Sequence, residues 1–286
     1  MSMQTLLKKL AERTHPKKPT PTHSRLSLHN PNPDSTAEPH EPHALPSLKP
    51  LAPPRALIIA AGEATRWKNY LGVPKHFAPV DGEPIIKRTI RLMRKCGLRD
   101  IHIVAPPNDP RYQLAGTTLF VPTKHPDHAD ADKFLNSRAL WNTQGRTTIF
   151  YGDTYFTDAA MDAIVLHPTR GFKLFARPHR SDITGCHWGE CFAISFWPEH
   201  IPALEVAFAR IVDLHHQGRA KRIGGWELYR AFLGEDDAAI CRCEFGDVGM
   251  LHAIDDWTDD FDSADDYEEF LRRRRNSPNP NTHQAA

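Results

Sequence analysis

Hydrophobic and polar positions divide the chain into a polar N-terminal segment and a longer region in which short apolar runs alternate with helical patterns. Short continuous apolar runs predict buried strands, and apolar residues at three- and four-residue spacing predict helices. The predicted strands are 56–60, 101–105, 117–121, 147–151, 172–177 and 191–196. The predicted helices are 84–96, 130–142, 157–166 and 198–216, with a last helix ending at 272–275. This alternation indicates an α/β fold with a mostly parallel sheet.

The two ends of the chain differ from this pattern. Residues 1–54 hold 11 of the 25 prolines and have no usable apolar periodicity. Such a segment cannot bury enough apolar surface to offset its ordering entropy, so it is predicted to be a disordered arm. Residues 276–286 are predicted to be a disordered tail. The part between them, 55–275, is long enough for one domain with a sizeable core.

Charge and composition restrict the class of protein further. The 36 basic and 35 acidic side chains nearly balance, so no general attraction to nucleic acid or to a membrane surface is predicted. No run approaches the ~18 apolar residues of a membrane span, and the N-terminus lacks the apolar core of a secretion signal. An odd number of cysteines, five, favours reduced thiols over a disulfide framework. The expectation is a cytoplasmic protein.

The segment 55–66 is the clearest candidate for chemistry. Its apolar part predicts a buried strand, which Ala61 and Gly62 end in a loop of small residues. Backbone N–H groups in such a loop can face an anion, and Arg66 and Lys75 add positive charge. A guanidinium can bind phosphate oxygens bidentately, whereas an ammonium acts as a compact charge. The pattern indicates a loop that handles a triphosphate, and an ordinary strand-to-helix turn is the alternative.

Two acidic segments could supply metal ligands. Asp153 follows the predicted strand 147–151 and a glycine, which puts a carboxylate at the edge of the sheet where open α/β folds bind ligands. Asp260 and Asp262 would lie on the same side of an extended segment. Carboxylate oxygens suit Mg²⁺, which also bridges substrate phosphates. The alternatives are a helix N-cap for Asp153, although Asp158 is the better cap candidate, and a solvated acidic loop for the other two.

The loop 60–66, the Pro-Lys pair at 74–75 and the Gly-x-Pro turn at 82–84 together resemble the N-terminal signature of nucleotidyltransferases. These belong to the nucleotide-diphospho-sugar transferase superfamily, which includes MobA-like and sugar-phosphate nucleotidyltransferase-like enzymes. The resemblance is clearest over 56–106 and weaker beyond 165. It implies one Rossmann-like domain of GT-A type, with a mixed, mostly parallel sheet and helices on both faces.

The resemblance also implies roles for particular residues. Arg66 would hold the leaving pyrophosphate, Lys75 the α-phosphate under attack, and Asp153 the magnesium ion. The residues placed near the nucleotide are Ala60, Ala61, Gly62, Glu63, Ala64, Thr65, Asn136 and Ser137. Ala64 stands where the family usually has a second glycine, and its methyl group is expected to narrow the approach to the nucleotide.

Residues 260–267, which we call the acidic segment, resemble the ending common in nucleotidyltransferases. Asp260 and Asp262 would then face the metal opposite Asp153. Ser263 is predicted to cap the last helix, with Asp266 completing a capping-box arrangement.

The turn that contains Trp188 and Glu190 is a candidate acceptor site. Trp188 could offer an apolar platform and Glu190 a hydrogen-bond acceptor for hydroxyl groups of a sugar-like molecule, and an ordinary hairpin is the alternative. The predicted function is an Mg²⁺-dependent transfer of a nucleoside monophosphate from a nucleoside triphosphate to a sugar phosphate or related alcohol phosphate, with release of pyrophosphate. The predicted partners are these two small molecules, with no membrane or nucleic acid.

Two other functions are compatible with parts of the pattern. A GT-A glycosyltransferase would use a ready-made nucleotide-sugar, but it would have no need for Arg66 with Pro74 and Lys75. A non-catalytic nucleotide-binding module would tolerate a narrowed loop at Ala64.

Overall fold

The computed structural model describes residues 52–62, 64–123, 134, 137–242 and 250–277. In chain order the strands are β1 (Arg55–Ile59), β2 (Pro79–Val80), β3 (Glu83–Pro84), β4 (Asp100–Val104), β5 (Thr118–Phe120), β6 (Thr147–Tyr151), β7 (Thr154–Tyr155), β8 (Lys173–Arg177), β9 (Glu190–Phe196), β10 (Leu251–Ala253) and β11 (Asp259–Asp260). The α-helices are α1 (Ile85–Lys95), α2 (Asp158–Val165), α3 (Ile201–His216), α4 (Gly225–Phe232), α5 (Asp237–Ile240) and α6 (Ala264–Asn276). Residues 1–51 and 278–286, which fall in the predicted arm and tail, lie outside the described part.

A seven-stranded sheet forms the centre of the fold, in the order β10-β8-β9-β6-β1-β4-β5. β9 runs antiparallel to both of its neighbours, β6 and β8, and the remaining neighbouring strands pair in parallel. β1 lies between β4 and β6, with Arg55 opposite Asp100 on one side and Thr147 on the other. The prediction of a mixed, mostly parallel sheet is confirmed.

Helices cover both faces of the sheet because β1 is apolar on both sides. Leu57 and Ile59 belong to a core cluster that contains residues of α3 and α4. Ala56 and Ile58, which point the opposite way, belong to a second cluster with residues of α1 and α2. A strand buried on both faces reads as a continuous apolar run, and this is why β1 could be predicted from its sequence.

The helices agree with the sequence pattern in part. α1, α2 and α3 lie within the predicted ranges 84–96, 157–166 and 198–216. In the predicted helix 130–142, residues 130–133, 135 and 136 lie outside the described part, Phe134 is helical, and a short 3₁₀ turn follows at Arg138–Leu140. The pattern did not predict α4 and α5. Helix α4 begins directly after Gly224, at Gly225, and glycine has low helix propensity.

The N-cap of α2 corrects one prediction. Thr157, and not Asp158, occupies the cap position, and its hydroxyl accepts a hydrogen bond from the Ala160 N–H at 3.0 Å. Asp158 is the first helical residue and forms ion pairs with Arg88 and Lys95 on α1. An acidic group in the first turn still complements the helix dipole.

The C-terminal segment folds back onto the loop that follows β1. Ser263 caps α6 in a capping box with Asp266, as predicted. Tyr267 and Phe270 of α6 pack with Trp67 in a third apolar cluster, and the Tyr267 hydroxyl donates to the Pro79 carbonyl at 2.5 Å. This packing brings the acidic segment beside residues 64–80. Among the described helices, none has both the length and the apolar character needed to cross a membrane.

Candidate active site

The carboxyl ends of β1 and β6 meet at one edge of the sheet. The Gly152 N–H, just after β6, donates to the Ile59 carbonyl at 2.9 Å. A Cβ atom at position 152 would lie 2.7 Å from that oxygen, so only glycine permits this approach. The Gly-Asp sequence therefore places Asp153 next to the loop that leaves β1.

A cavity of about 190 Å³ lies between this loop and Asp153, and we call it the loop cavity. Its walls combine cationic, anionic and neutral polar groups with little apolar surface. They are formed by Ile59, Gly62, Thr65, Arg66, Lys75, His76, Tyr151, Asp153 and Asp262. The cavity thus brings together four residues predicted to bind a nucleotide or act in catalysis and two of the three predicted to bind metal.

Lys75 is the central cation of the loop cavity. Its Nζ atom lies 2.5 Å from an Asp153 carboxylate oxygen and 3.2 Å from one of Asp262, and its side chain is only 7% exposed. Burial favours the neutral amine, but the charges of Asp153 and Asp262 outweigh it and raise the pKa of Lys75 above its usual value. Lys75 is therefore a fixed positive charge within reach of a bound phosphate.

Asp153, Asp260 and Asp262 each offer a carboxylate oxygen within 4.8 Å of the others. A two-residue ribbon sets this geometry. Asp260 of β11 pairs with Thr154 of β7, and the Phe261 N–H donates to the Asp153 carbonyl at 3.1 Å. Segments more than a hundred positions apart are in this way held side by side by main-chain hydrogen bonds.

The three carboxylates fit a hard divalent cation. Carboxylate oxygens are the ligands that Mg²⁺ prefers, and it is usually held by one or two of them together with water and phosphate oxygens. Burial, followed by the charges of Glu190 and Asp262, raises the pKa of Asp260 well above its usual range. A divalent cation between these carboxylates would offset this repulsion.

Arg66 lies at the mouth of the loop cavity. Its guanidinium donates to the Asp262 carboxylate, while the side chain remains 67% exposed. Arg66 and Lys75 thus share Asp262 as a partner, and both line the loop cavity.

Ala64 is the residue whose methyl group is expected to narrow the approach to the nucleotide. Its methyl group packs beside the aromatic cluster around Trp67 and does not line the loop cavity. The narrowing of the nucleotide approach by Ala64 stays a prediction.

The other residues predicted to contact the nucleotide lie in different environments. Thr65 and Gly62 line the loop cavity, whereas Ala60 and Ala61 pack against the two core clusters. Ser137 is completely buried, and its hydroxyl donates to the Phe134 carbonyl at 2.7 Å, so its hydrogen bonding is structural. Glu63 and Asn136 lie outside the described residues.

A second cavity, of about 250 Å³, adjoins the first, and we call it the acidic cavity. The two cavities share Arg66 and Asp262. Trp188 and Glu190, the predicted acceptor residues, both line the acidic cavity, and Trp188 is 69% exposed. Burial, followed by the charges of Asp259 and Asp262, raises the pKa of Glu190 to about 8.

The residue that anchors the segment 258–262 was not predicted from the sequence. Arg177, at the end of β8 and 2% exposed, donates to Asp259 at 2.7 Å and to the Thr258 carbonyl at 3.0 Å. An arginine that closes an otherwise apolar strand is a weak signal, because the same pattern is typical of strand ends that reach solvent. His76, which donates to or accepts from Tyr112 at 2.8 Å, was also not predicted.

Comparisons with known proteins agree with the fold and with the resemblance to nucleotidyltransferases. Residues 56–164 match the model of the MobA-like NTP transferase domain, which confirms the resemblance to nucleotidyltransferases. A bifunctional sugar-1-phosphate nucleotidylyltransferase/acetyltransferase of Sulfurisphaera tokodaii is 31% identical over 106 residues. That match covers 36% of this chain and 26% of the relative, so the chain spans about a quarter of its length.

A solved structure extends the agreement to most of the described domain. A Bacillus anthracis protein assigned as a glucose-1-phosphate thymidylyltransferase superposes with a TM-score of 0.54 at 12% identity. The alignment covers 78% of this chain and 96% of that protein. At this level of identity the similarity is one of fold.

Proposed function

We propose that this chain, with its MobA-like NTP transferase domain at residues 56–164, transfers a nucleoside monophosphate from a nucleoside triphosphate to a phosphorylated small molecule. The observation that carries the proposal is the position of Lys75, a buried cation in contact with two of three clustered carboxylates. A buried cation beside a divalent-cation site is the arrangement that phosphoryl chemistry requires.

The reaction needs positioning and charge neutralisation more than a protein nucleophile. A phosphate oxygen of the acceptor forms a bond to the α-phosphorus, and the bond from that phosphorus to the β-phosphate oxygen breaks. Pyrophosphate leaves with the electron pair. Lys75 would neutralise the α-phosphate oxygens, and Arg66 would hold the β- and γ-phosphates at the mouth of the loop cavity.

Both cations would exchange partners when the triphosphate binds. Lys75 and Arg66 each contact Asp262 in the free protein. Phosphate oxygens would replace that carboxylate, which would then be available to a metal ion. N–H groups of the loop that follows Ala60 would face the same phosphates, whereas the Ala60 N–H itself donates to the Val104 carbonyl.

Asp153, Asp260 and Asp262 are the residues that would hold Mg²⁺. When bound, the ion would offset negative charge on the phosphates as it develops. The ribbon between β7 and β11 would keep the two ligand segments at a fixed separation.

Pyrophosphate release tests the proposal. The full chain would be incubated with Mg²⁺, each common nucleoside triphosphate and a panel of hexose 1-phosphates, polyol phosphates and amino-alcohol phosphates. Release that requires both substrates and is lost on Lys75→Met supports the proposal. Verified folding together with no release from any combination would overturn it. Cleavage of a nucleotide-sugar without triphosphate consumption would instead favour the glycosyltransferase.

A further inference from the structure

The walls of the acidic cavity carry seven carboxylates, and three of them form ion pairs with neighbouring cations. Asp259 pairs with Arg177, and Asp262 pairs with Arg66 and Lys75. Glu269 at the rim pairs with both Arg272 and Arg273. In the free protein these three carboxylates therefore have cationic partners.

Glu190 differs from these carboxylates. It is partly buried at the start of β9, and the Cys186 thiol donates to one of its carboxylate oxygens at 3.7 Å. Across the described ranges it forms no ion pair. A carboxylate withdrawn from water without a cation is unfavourable, and a positive charge on a ligand would remove that cost.

Trp188 supplies a second, independent feature of the same cavity. Its ring lines the cavity two positions before Glu190 yet is 69% exposed, the largest exposed fraction among the exposed large apolar side chains. Packing does not require this ring to be where it is. Tryptophan offers the strongest aromatic face for a cation, and a carboxylate beside it complements the same charge.

We propose that the acidic cavity binds the end of the acceptor remote from its phosphate, and that this end carries a positively charged nitrogen. The acceptor would be a phosphorylated amino alcohol, and this inference rests on the proposed function. Arg66 and Asp262, shared by the two cavities, mark where the acceptor phosphate would meet the triphosphate. Glu190 and Trp188 would then face the ammonium group. A neutral polyol would bring no positive charge to favour the ionised form of Glu190.

Two phosphates of matched shape test this inference. Phosphocholine and 3,3-dimethylbutyl phosphate differ in having a quaternary nitrogen or a carbon at the same position. Pyrophosphate release by the full chain would be followed for both, with the triphosphate that gives the highest rate. We expect kcat/KM to be about tenfold or more higher for phosphocholine. Equal values would overturn the inference.

Variants assign the preference to the two residues. Glu190→Gln keeps the side-chain shape and should reduce the ratio of the two kcat/KM values to about 2 or less, while Trp188→Ala should reduce it about threefold. Glu199→Gln is the matched control, because Glu199 is exposed, follows the opposite end of β9 and pairs with Arg170. If Glu190→Gln kept the wild-type ratio of the two kcat/KM values, the inference would also be overturned.

Failure of the inference can be told apart from failure of the proposed function. If hexose 1-phosphates support pyrophosphate release while the two matched phosphates are used equally, the function holds and the cationic acceptor is excluded. If none of the phosphates supports release, the proposed function is wrong, and the inference that rests on it is wrong as well.

Discussion

The Nζ atom of Lys75 lies 2.5 Å from a carboxylate oxygen of Asp153, so the cation predicted to bind phosphate is in direct contact with a predicted metal ligand. The two charges neutralise each other in the free protein. A triphosphate and a divalent cation carry opposite charges. When both bind, the phosphate can therefore take Asp153's place at Lys75, and the cation can take Lys75's place at Asp153. This contact makes the behaviour of variants at position 75 informative about both ligands.

Replacing Lys75 by Met should lower kcat for pyrophosphate release by about 100-fold, because a preorganised charge next to the reacting phosphate is lost. The change also leaves Asp153 and Asp262 without their shared cation. Mg²⁺ should therefore raise the melting temperature of the variant more than that of the wild type, which differential scanning fluorimetry can measure. If Mg²⁺ raised the melting temperature of both proteins equally, Lys75 and the metal ion would not share Asp153 and Asp262 as partners.

Replacing Asp260 by Asn should weaken divalent-cation binding by about 10-fold or more, because one of the three clustered carboxylates is lost. Electron paramagnetic resonance of added Mn²⁺ reports free ion directly and does not depend on turnover. Asp265→Asn is the control, since Asp265 lines the acidic cavity but is not a member of the carboxylate cluster. Unchanged Mn²⁺ affinity in Asp260→Asn would exclude this residue as a ligand.

Replacing Ala64 by Gly should leave KM for the triphosphate within about twofold of the wild type, because the methyl group faces the Trp67 cluster and not the loop cavity. Stability should fall by about 1 kcal/mol, through the lost packing and the greater freedom of glycine in the unfolded chain. Urea unfolding and initial-rate kinetics measure the two effects. A several-fold drop in KM would show that the methyl group does obstruct the nucleotide.

The position of Ala64 shows where prediction from the sequence ends. Local apolar runs predicted the strands β1, β4, β5, β6, β8 and β9, whereas β2, β3, β7, β10 and β11 were not predicted. Which way a short side chain points in a loop depends on what packs behind it, here Trp67 and residues of α6. That contact joins positions far apart in the sequence, and no local pattern encodes it.

The acidic segment was partly predictable for the same reason. The alternation of Asp260 and Asp262 is local, and so is the capping box at Ser263. Their approach to Asp153 depends on β-ribbon pairing between distant segments and on Arg177 beneath it. The ribbon pairing has no signal in the sequence, because a two-residue strand has no measurable periodicity, and Arg177 gives only a weak one.

Stability should depend on pH through Glu190. Burial, and then the charges of Asp259 and Asp262, raises its pKa from the ordinary 4.5 to about 8. The folded state therefore holds this proton up to a higher pH than the unfolded state, and stability falls as pH rises through that window. Glu190→Gln has no such titration. The free energy of unfolding of this variant minus that of the wild type should therefore rise by about 1–2 kcal/mol between about pH 5 and pH 8.5.

Denaturant unfolding in the presence of a chelator would measure this difference without a contribution from metal binding. Glu199→Gln is the control, because its own backbone N–H, followed by Arg170, lowers the pKa of Glu199. Its titration is complete at the acid end of the window, and its stability relative to wild type should stay constant. If the stability of Glu190→Gln relative to wild type also stayed constant across this pH window, the pKa of Glu190 would not be raised in the folded protein.

The ion pair between Arg177 and Asp259 should be the most sensitive structural contact behind the site. Both side chains are buried, at 2% and 6% exposed, and their atoms lie 2.7 Å apart. Arg177→Met removes the cation and leaves a buried carboxylate, which should reduce the free energy of unfolding by about 3–5 kcal/mol. Arg177→Lys should restore only part of it, since an ammonium cannot reproduce the planar, two-pronged donation to Asp259 and the Thr258 carbonyl.

A double variant separates charge from packing at this position. Arg177→Met combined with Asp259→Asn removes both charges, so it should be more stable than Arg177→Met alone. Because Asp259 precedes Asp260 on β11, Mn²⁺ affinity should recover in parallel with stability if the ion pair positions the ligand segment. If stability recovered while Mn²⁺ affinity stayed low, the guanidinium would have a role in the carboxylate cluster beyond compensating the charge of Asp259.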